Sequence, residues 1–332
     1  MSVKNQSIFD IHPFKFISKW RSLPAYEMAS YFFIYASVPM LAFGVKTYNF
    51  SIIKIILLTV ISLYAGFFAV LIWNDITDVD IDIIVHPDRP IPDGRITTRK
   101  MFIIALFFSI ATFIFSIFIS IWCFILVGCT AFFVTIHNKY LKTKIKFPAY
   151  SEILTPIQWI VVPLFGFLAI WTALPQSLDF IFNVNFIGLI STSKEAIQQL
   201  IILIIFTYFA DNAHDVSEGI HDLKGDKKLG VKTYAASFGE KNAARISFIM
   251  FLTSGFFGVI LYLKTILSPL FLILFTAVWL YTLIFYYRLL KAEKKQIKEI
   301  GAIVGRKGFD YLLFSYNLIF LDMLIQLINH NF

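Results

Sequence analysis

The chain has 332 residues, 58% of them hydrophobic and 18% aromatic, with 38 Phe, only 15% charged residues and a formal net charge of +8. A mean hydropathy of +0.75 excludes an ordinary soluble globular domain and reads as an integral membrane protein, because several apolar runs approach the roughly 20 residues that span a bilayer. Cys123 and Cys129 are the only cysteines and share one apolar run, which excludes a disulfide framework and a Cys-rich metal centre.

Residues 1–28 show no apolar h-region followed by a small-residue cleavage site, so we expect a cytoplasmic segment, with insertion directed by the spans themselves. Hydropathy predicts nine spans, near 29–46, 52–73, 101–118, 120–137, 152–172, 196–212, 242–263, 267–287 and 308–329. With the N-terminus in the cytoplasm, all but four of the 29 Lys and Arg fall on the cytoplasmic side, the exceptions being Lys46, Lys54, Lys194 and Lys264. The positive charge is thus topology and attraction to anionic membrane lipids, and calls for no nucleic-acid partner. The outer connection 173–195 reads as a partly interfacial loop. The whole of 1–332 reads as one domain.

The stretch NDITDVDIDIIVHPDRPIPDG, from Asn74 to Gly94, follows the second span directly. On a helix continuing past Trp73, Asn74, Asp75, Asp78 and Asp82 share one face. Stacked carboxylates repel unless a cation sits among them, and hard oxygen ligands suit Mg²⁺ or Ca²⁺. The helix is expected to break at Pro87, Pro90 and Pro92. His86 is expected to orient the loop.

A second acidic stretch, DNAHDVSEGIHDLKGDKKLGVKT, runs from Asp211 to Thr233. On a continuous helix Asp211, Asp215, Glu218, Asp222 and Asp226 fall within about 80° of arc, although Gly219 and Gly225 weaken that helix. His214, Glu218 and His221 have a one-face spacing compatible with a transition metal, but HExxH is absent and hydrogen-bonding histidines are the expectation. Both acidic patches fall on one side of the membrane, each followed by basic residues, Arg89 and Arg95 in the first, Lys224, Lys227, Lys228 and Lys232 in the second. Divalent ions held by such carboxylates would bridge a diphosphate, with Lys or Arg neutralising the remaining charge. The rest of that substrate should be apolar.

These residues, NDxxDxxxD at Asn74, Asp75, Asp78 and Asp82, the HPDRPIPDGRIT tail, and DLKGDKKLGVKT with Asp222 and Asp226, resemble the two signature regions of the UbiA superfamily of intramembrane prenyltransferases. The resemblance covers most of the chain. It implies an all-α polytopic bundle of about nine helices around a central cavity, under a cytoplasmic cap. It implies Mg²⁺-dependent ionisation of a prenyl diphosphate to an allylic cation, captured by an aromatic or lipid-like acceptor such as a quinone precursor, a chlorin or a lipid. Carried over, Asn74, Asp75, Asp78, Asp82, Asp222 and Asp226 would hold metal, with Asp75, Asp78, Asp222 and Asp226 catalytic. Asn74, Arg89, Lys142 and Lys224 would bind the diphosphate. Relatives often carry a basic residue and Asp where this chain has Glu218-Gly219, so Lys142, Lys144 or Lys146 is the expected substitute cation. The inner, cell membrane is the expected location.

Two other readings stay open. A terpene cyclase of the same superfamily would use the same motifs without an acceptor. A cation transporter would place carboxylates near the bilayer midplane, whereas the predicted helix centres here carry almost no charge.

Overall fold

The computed structural model describes residues 24–85, 87–142, 144–174 and 179–331. The expectations for the first 23 residues and for His86 therefore lie outside the described residues. The elements in chain order are α1 (Ala25–Phe43), α2 (Phe50–Thr77), the short α3 (Val79–Val85), α4 (Thr98–Ile119) and α5 (Ile121–Ile136), which runs into a π-helical turn (His137–Leu141). There follow α6 (Tyr150–Leu154), α7 (Ile157–Ala173), β1 (Phe180–Val184), β2 (Gly188–Thr192), α8 (Lys194–Leu229), α9 (Tyr234–Phe238), α10 (Glu240–Lys264), α11 (Pro269–Lys291) and α12 (Ile297–Asn331).

Side-chain caps start several of these helices: Asn49 accepts from the Ile52 amide at α2, Thr97 from Lys100 at α4, Ser120 from Cys123 at α5 and Ser193 from Ala196 at α8. Eight helical segments among the described residues are long and apolar enough to cross a bilayer. The region predicted as the first span is α1, 19 residues whose buried positions include Glu27, Ser30 and Ser37 beside Tyr31 and Tyr35. It packs against α12, α7 and α2, so the count of nine is approximate. The outward surface is apolar, with Phe107 66% and Phe132 69% exposed, as a lipid-facing exterior requires.

The bundle is a ring. The helix α2 packs on α4, α4 on α5, α5 on α7, α7 on α8, α8 on both α10 and α12, and α12 returns to α1. One expectation is corrected: the connection 173–195 contains an antiparallel hairpin with Phe180 opposite Thr192 and Val184 opposite Gly188. Backbone groups near an apolar phase must pair, and β-branched and aromatic residues such as Phe180, Ile181, Phe182, Val184 and Ile190 favour pairing as strands.

Close approach of α12 to α8 depends on glycine. A Cβ on Gly301 would lie 2.8 Å from the Ser217 carbonyl oxygen, one on Gly305 3.0 Å from Glu218 Cβ, and one on Gly308 2.7 Å from His214 Cβ. Small residues at such spacing let two membrane helices meet backbone to backbone.

Candidate functional site

The first acidic motif leaves the membrane on α2. Asp78 forms the C-cap of that helix, donating its amide to the Asn74 carbonyl, and its own carbonyl accepts from the Asp82 amide, so α2 passes into α3 with the one-face register nearly intact. Asp75 and Asp82 are buried, at 1% and 2% exposure. The cation among them is Arg89: its Nη1 stands 2.8 and 2.7 Å from the two Asp82 oxygens and 3.6 Å from Asp75 Oδ1. The proline-rich turn that breaks the helix folds this guanidinium back onto the stripe. Asp80 and Asp88 are exposed. Burial, partly offset by Lys142, pushes the Asp78 carboxyl above its ordinary range.

The second motif lies on α8, which is unbroken for 36 residues, about 54 Å at 1.5 Å per residue. Gly219 and Gly225 do not interrupt it; the helix ends at Gly230, whose φ of 74° is the left-handed C-cap that glycine favours. Asp226 is hydrogen-bonded by the Thr233 side chain and lies near Asp222. Asp222 is about two-fifths exposed and pairs with His221 Nδ1 at 2.8 Å. Asp211 is buried and accepts from His214 Nε2 at 2.9 Å. The expected hydrogen-bonding histidines are thus His221 at the surface and His214 in the interior.

Lys142, directly after the π-helical turn, joins the two motifs. Its ammonium acts electrostatically on Asp78 from the first, and on Asp215 and Asp226 from the second. It is half-buried, whereas Lys144, Lys146 and Lys224 are exposed. The same turn places Asn138, whose side-chain amide donates to Asn74 Oδ1 at 2.8 Å and whose own oxygen lies 3.0 Å from His137 Nδ1. Asn74 is therefore oriented by another segment.

Sequence reading missed Glu152. It lies on α6 at 5% exposure, accepts the Tyr234 amide, and faces the bare Cα of Gly219. Asp215 and Asp226 act on it electrostatically. Only its position in the short segment between basic loop and apolar span hinted at a role. Sequence reading also named no aromatic. The structure sets rings in a row across four helices: Phe67 4.3 Å from Tyr31, Tyr31 6.2 Å from Trp159, and Trp159 5.9 Å from Phe309, centroid to centroid.

The side-chain oxygens of Asp75, Asp78, Asp222, Asp226 and Asn74 are hard donors of the kind a divalent ion such as Mg²⁺ takes. Asp82, committed to Arg89, fits less directly than the others.

The sequence pattern of the UbiA prenyltransferase family matches residues 31–301. The chain is similar to the digeranylgeranylglyceryl phosphate synthase of Saccharolobus solfataricus, 28% identical over 215 residues, which is 64% of this chain and 64% of that protein's own length. Its fold is similar to that of a UbiA homologue from Aeropyrum pernix K1, with a TM-score of 0.64, 17% identity and coverage of 91% of this chain and 99% of the other. It is also similar in fold to a UbiA homologue from Archaeoglobus fulgidus bound to DMAPP and Mg²⁺, with a TM-score of 0.52, 14% identity and coverage of 86% and 96%. With the family pattern running through residues 31–301 and both acidic motifs within it, the chain belongs to the UbiA prenyltransferase family.

Proposed function

We propose that this chain is a single-domain, Mg²⁺-dependent intramembrane prenyltransferase that moves an isoprenyl group from a prenyl diphosphate to a lipid-like acceptor, with its active site on the cytoplasmic face of the cell membrane. The observation that carries the reading is that one segment reaches both motifs: Asn138 donates to Asn74 Oδ1 of the first at 2.8 Å, and Glu152 accepts the Tyr234 amide just past the second. The positive-inside distribution of Lys and Arg supports the orientation.

Mg²⁺ held by Asn74, Asp75, Asp78, Asp222 and Asp226 would neutralise the diphosphate and ease its departure. Lys142 meets the diphosphate as a mobile cation, while Arg89 keeps Asp75 and Asp82 from repelling one another and fixes the stripe. Asn138 holds the Asn74 side chain in one rotamer. The allylic carbon–oxygen bond breaks with its electron pair leaving on the diphosphate; an acceptor oxygen or ring carbon supplies the new pair and loses its proton. The row Phe67, Tyr31, Trp159 and Phe309 presents aromatic faces suited to a developing cation and excludes water.

Of the acceptors expected from sequence, a prenylated glyceryl phosphate has the support of the Saccharolobus relative's name, and the quinone and chlorin alternatives have none. The test is turnover of purified protein with Mg²⁺, radiolabelled C10 to C20 prenyl diphosphates and geranylgeranylglyceryl phosphate. Label passing into the glyceryl lipid supports the reading. Diphosphate release with a cyclic product and no acceptor dependence replaces it with a cyclase, and no release from any donor overturns it.

A further inference from the structure

Deeper along α8 than Asp222 and Asp226 lies a second group of ligand-bearing side chains. His214, Asp215 and Glu218 each offer one ligand atom, all within 4.8 Å of one another. We propose that they form a site for one divalent transition-metal ion of the Zn²⁺ class, built from side chains other than those assigned to Mg²⁺ and lying before Asp222 and Asp226 on the same helix.

The orientation of His214 supports this. Its Nε2 lies 2.9 Å from Asp211 Oδ1 and donates its N–H there, so in the neutral ring the lone pair is on Nδ1. A carboxylate behind an imidazole is the arrangement that fixes the tautomer of a metal-binding histidine. The free Nδ1 points at Asp215 Oδ1, 3.5 Å away, beside the separation of about 3.4 Å expected for two ligands each roughly 2.1 Å from a tetrahedral ion. Glu218 completes the set one turn on, at i+4 from His214 and i+3 from Asp215.

Several buried polar atoms of this cluster are unpaired. His214 is 6% exposed and its Nδ1 makes no hydrogen bond, and Asp211 Oδ2 and Asp215 Oδ2 are likewise buried without a partner among the described residues. Leaving carboxylate oxygens so is costly. A proton on Nδ1 would serve only the Asp215 oxygen it faces, whereas an ion between Nδ1, Asp215 and Glu218 satisfies all three side chains. One nitrogen among oxygens favours a borderline metal over Mg²⁺. Glu218 is exposed, which gives the ion a path from water and leaves room for a water ligand. Gly305 and Gly308 bring α12 against Glu218 and His214, so the bound ion would brace the α8–α12 contact.

The test uses the full chain in detergent, stripped with chelator and held in excess Mg²⁺ to occupy hard-oxygen sites, then titrated with Zn²⁺ and with Co²⁺. One retained equivalent is expected, with visible Co²⁺ absorption. His214→Ala should abolish both and Glu218→Gln should weaken Zn²⁺ binding at least 10-fold, while Asp222→Asn changes neither. Should His214→Ala fail to fold, the exposed Glu218→Gln decides alone. No tight equivalent, or one that Glu218→Gln leaves unchanged, overturns the proposal and identifies the cluster as an imidazolium held between carboxylates.

Discussion

Arg89 Nη1 stands within 2.8 Å of both Asp82 oxygens and 3.6 Å from Asp75, so one guanidinium neutralises the two most buried carboxylates of the first motif. Asp82 serves the motif mainly by holding Arg89. Arg89→Ala strands a buried charge and is expected to lower stability by about 3 kcal/mol as well as activity. Arg89→Lys keeps the charge but replaces the planar guanidinium with a compact ammonium, and should recover most of the stability with less of the activity. Thermal unfolding and turnover measured on the two variants check both expectations.

Asp75 and Asp222 differ in burial yet are assigned the same task, which separates their effects on folding from those on catalysis. Asp75→Ala and Asp222→Ala should each reduce Mg²⁺-dependent turnover by about 10² or more. Asp222, about two-fifths exposed, should leave the melting temperature unchanged, whereas Asp75→Ala should shift it. Both should blunt the rise in melting temperature that Mg²⁺ and a prenyl diphosphate together give the unaltered protein. Full activity in either variant contradicts the two-motif metal scheme.

The lysines can be ranked by position. Lys142 is half-buried and acts on carboxylates of both motifs, while Lys224 is exposed on α8. Lys142→Ala should raise the KM for prenyl diphosphate on the order of 10-fold, the worth of one charge-assisted hydrogen bond. Lys224→Ala should change it less than 2-fold. Initial rates against donor concentration distinguish them, and equal effects would mean that the diphosphate lies farther along α8.

Much of this was legible in the chain because helical periodicity and membrane length are local properties. The spans, the one-face register of Asn74, Asp75, Asp78 and Asp82, and the continuity of the stripe from Asp211 to Asp226 all follow from spacing. What stayed hidden depends on partners remote in sequence. Nothing near Asp82 distinguishes a metal ligand from a carboxylate held by Arg89, and nothing near Asn74 points to Asn138. The hairpin at 180–192 escaped because hydropathy registers apolar content without strand pairing. Gly219 read as a helix-weakening residue, whereas its reason lies on another helix.

That reason yields the last expectation. A Cβ at position 219 would overlap Glu152 Oε1, and Glu152 in turn accepts the Tyr234 amide just past the second motif. The missing side chain on α8 thus makes room for a carboxylate from α6, which sits on the acidic stripe and ties down the turn after Gly230. Gly219→Ala must push that carboxylate off the Tyr234 amide, and is expected to cost about 1–3 kcal/mol although alanine is the better helix former. Glu152→Ala alone loses the hydrogen bond but leaves α8 intact. In the double variant the clash has no partner, so the two losses should not add: a coupling of about 1 kcal/mol or more is expected from denaturant unfolding of the four proteins. Additive losses would show that Gly219 and Glu152 act independently, and that the carboxylate is placed by Tyr234 alone.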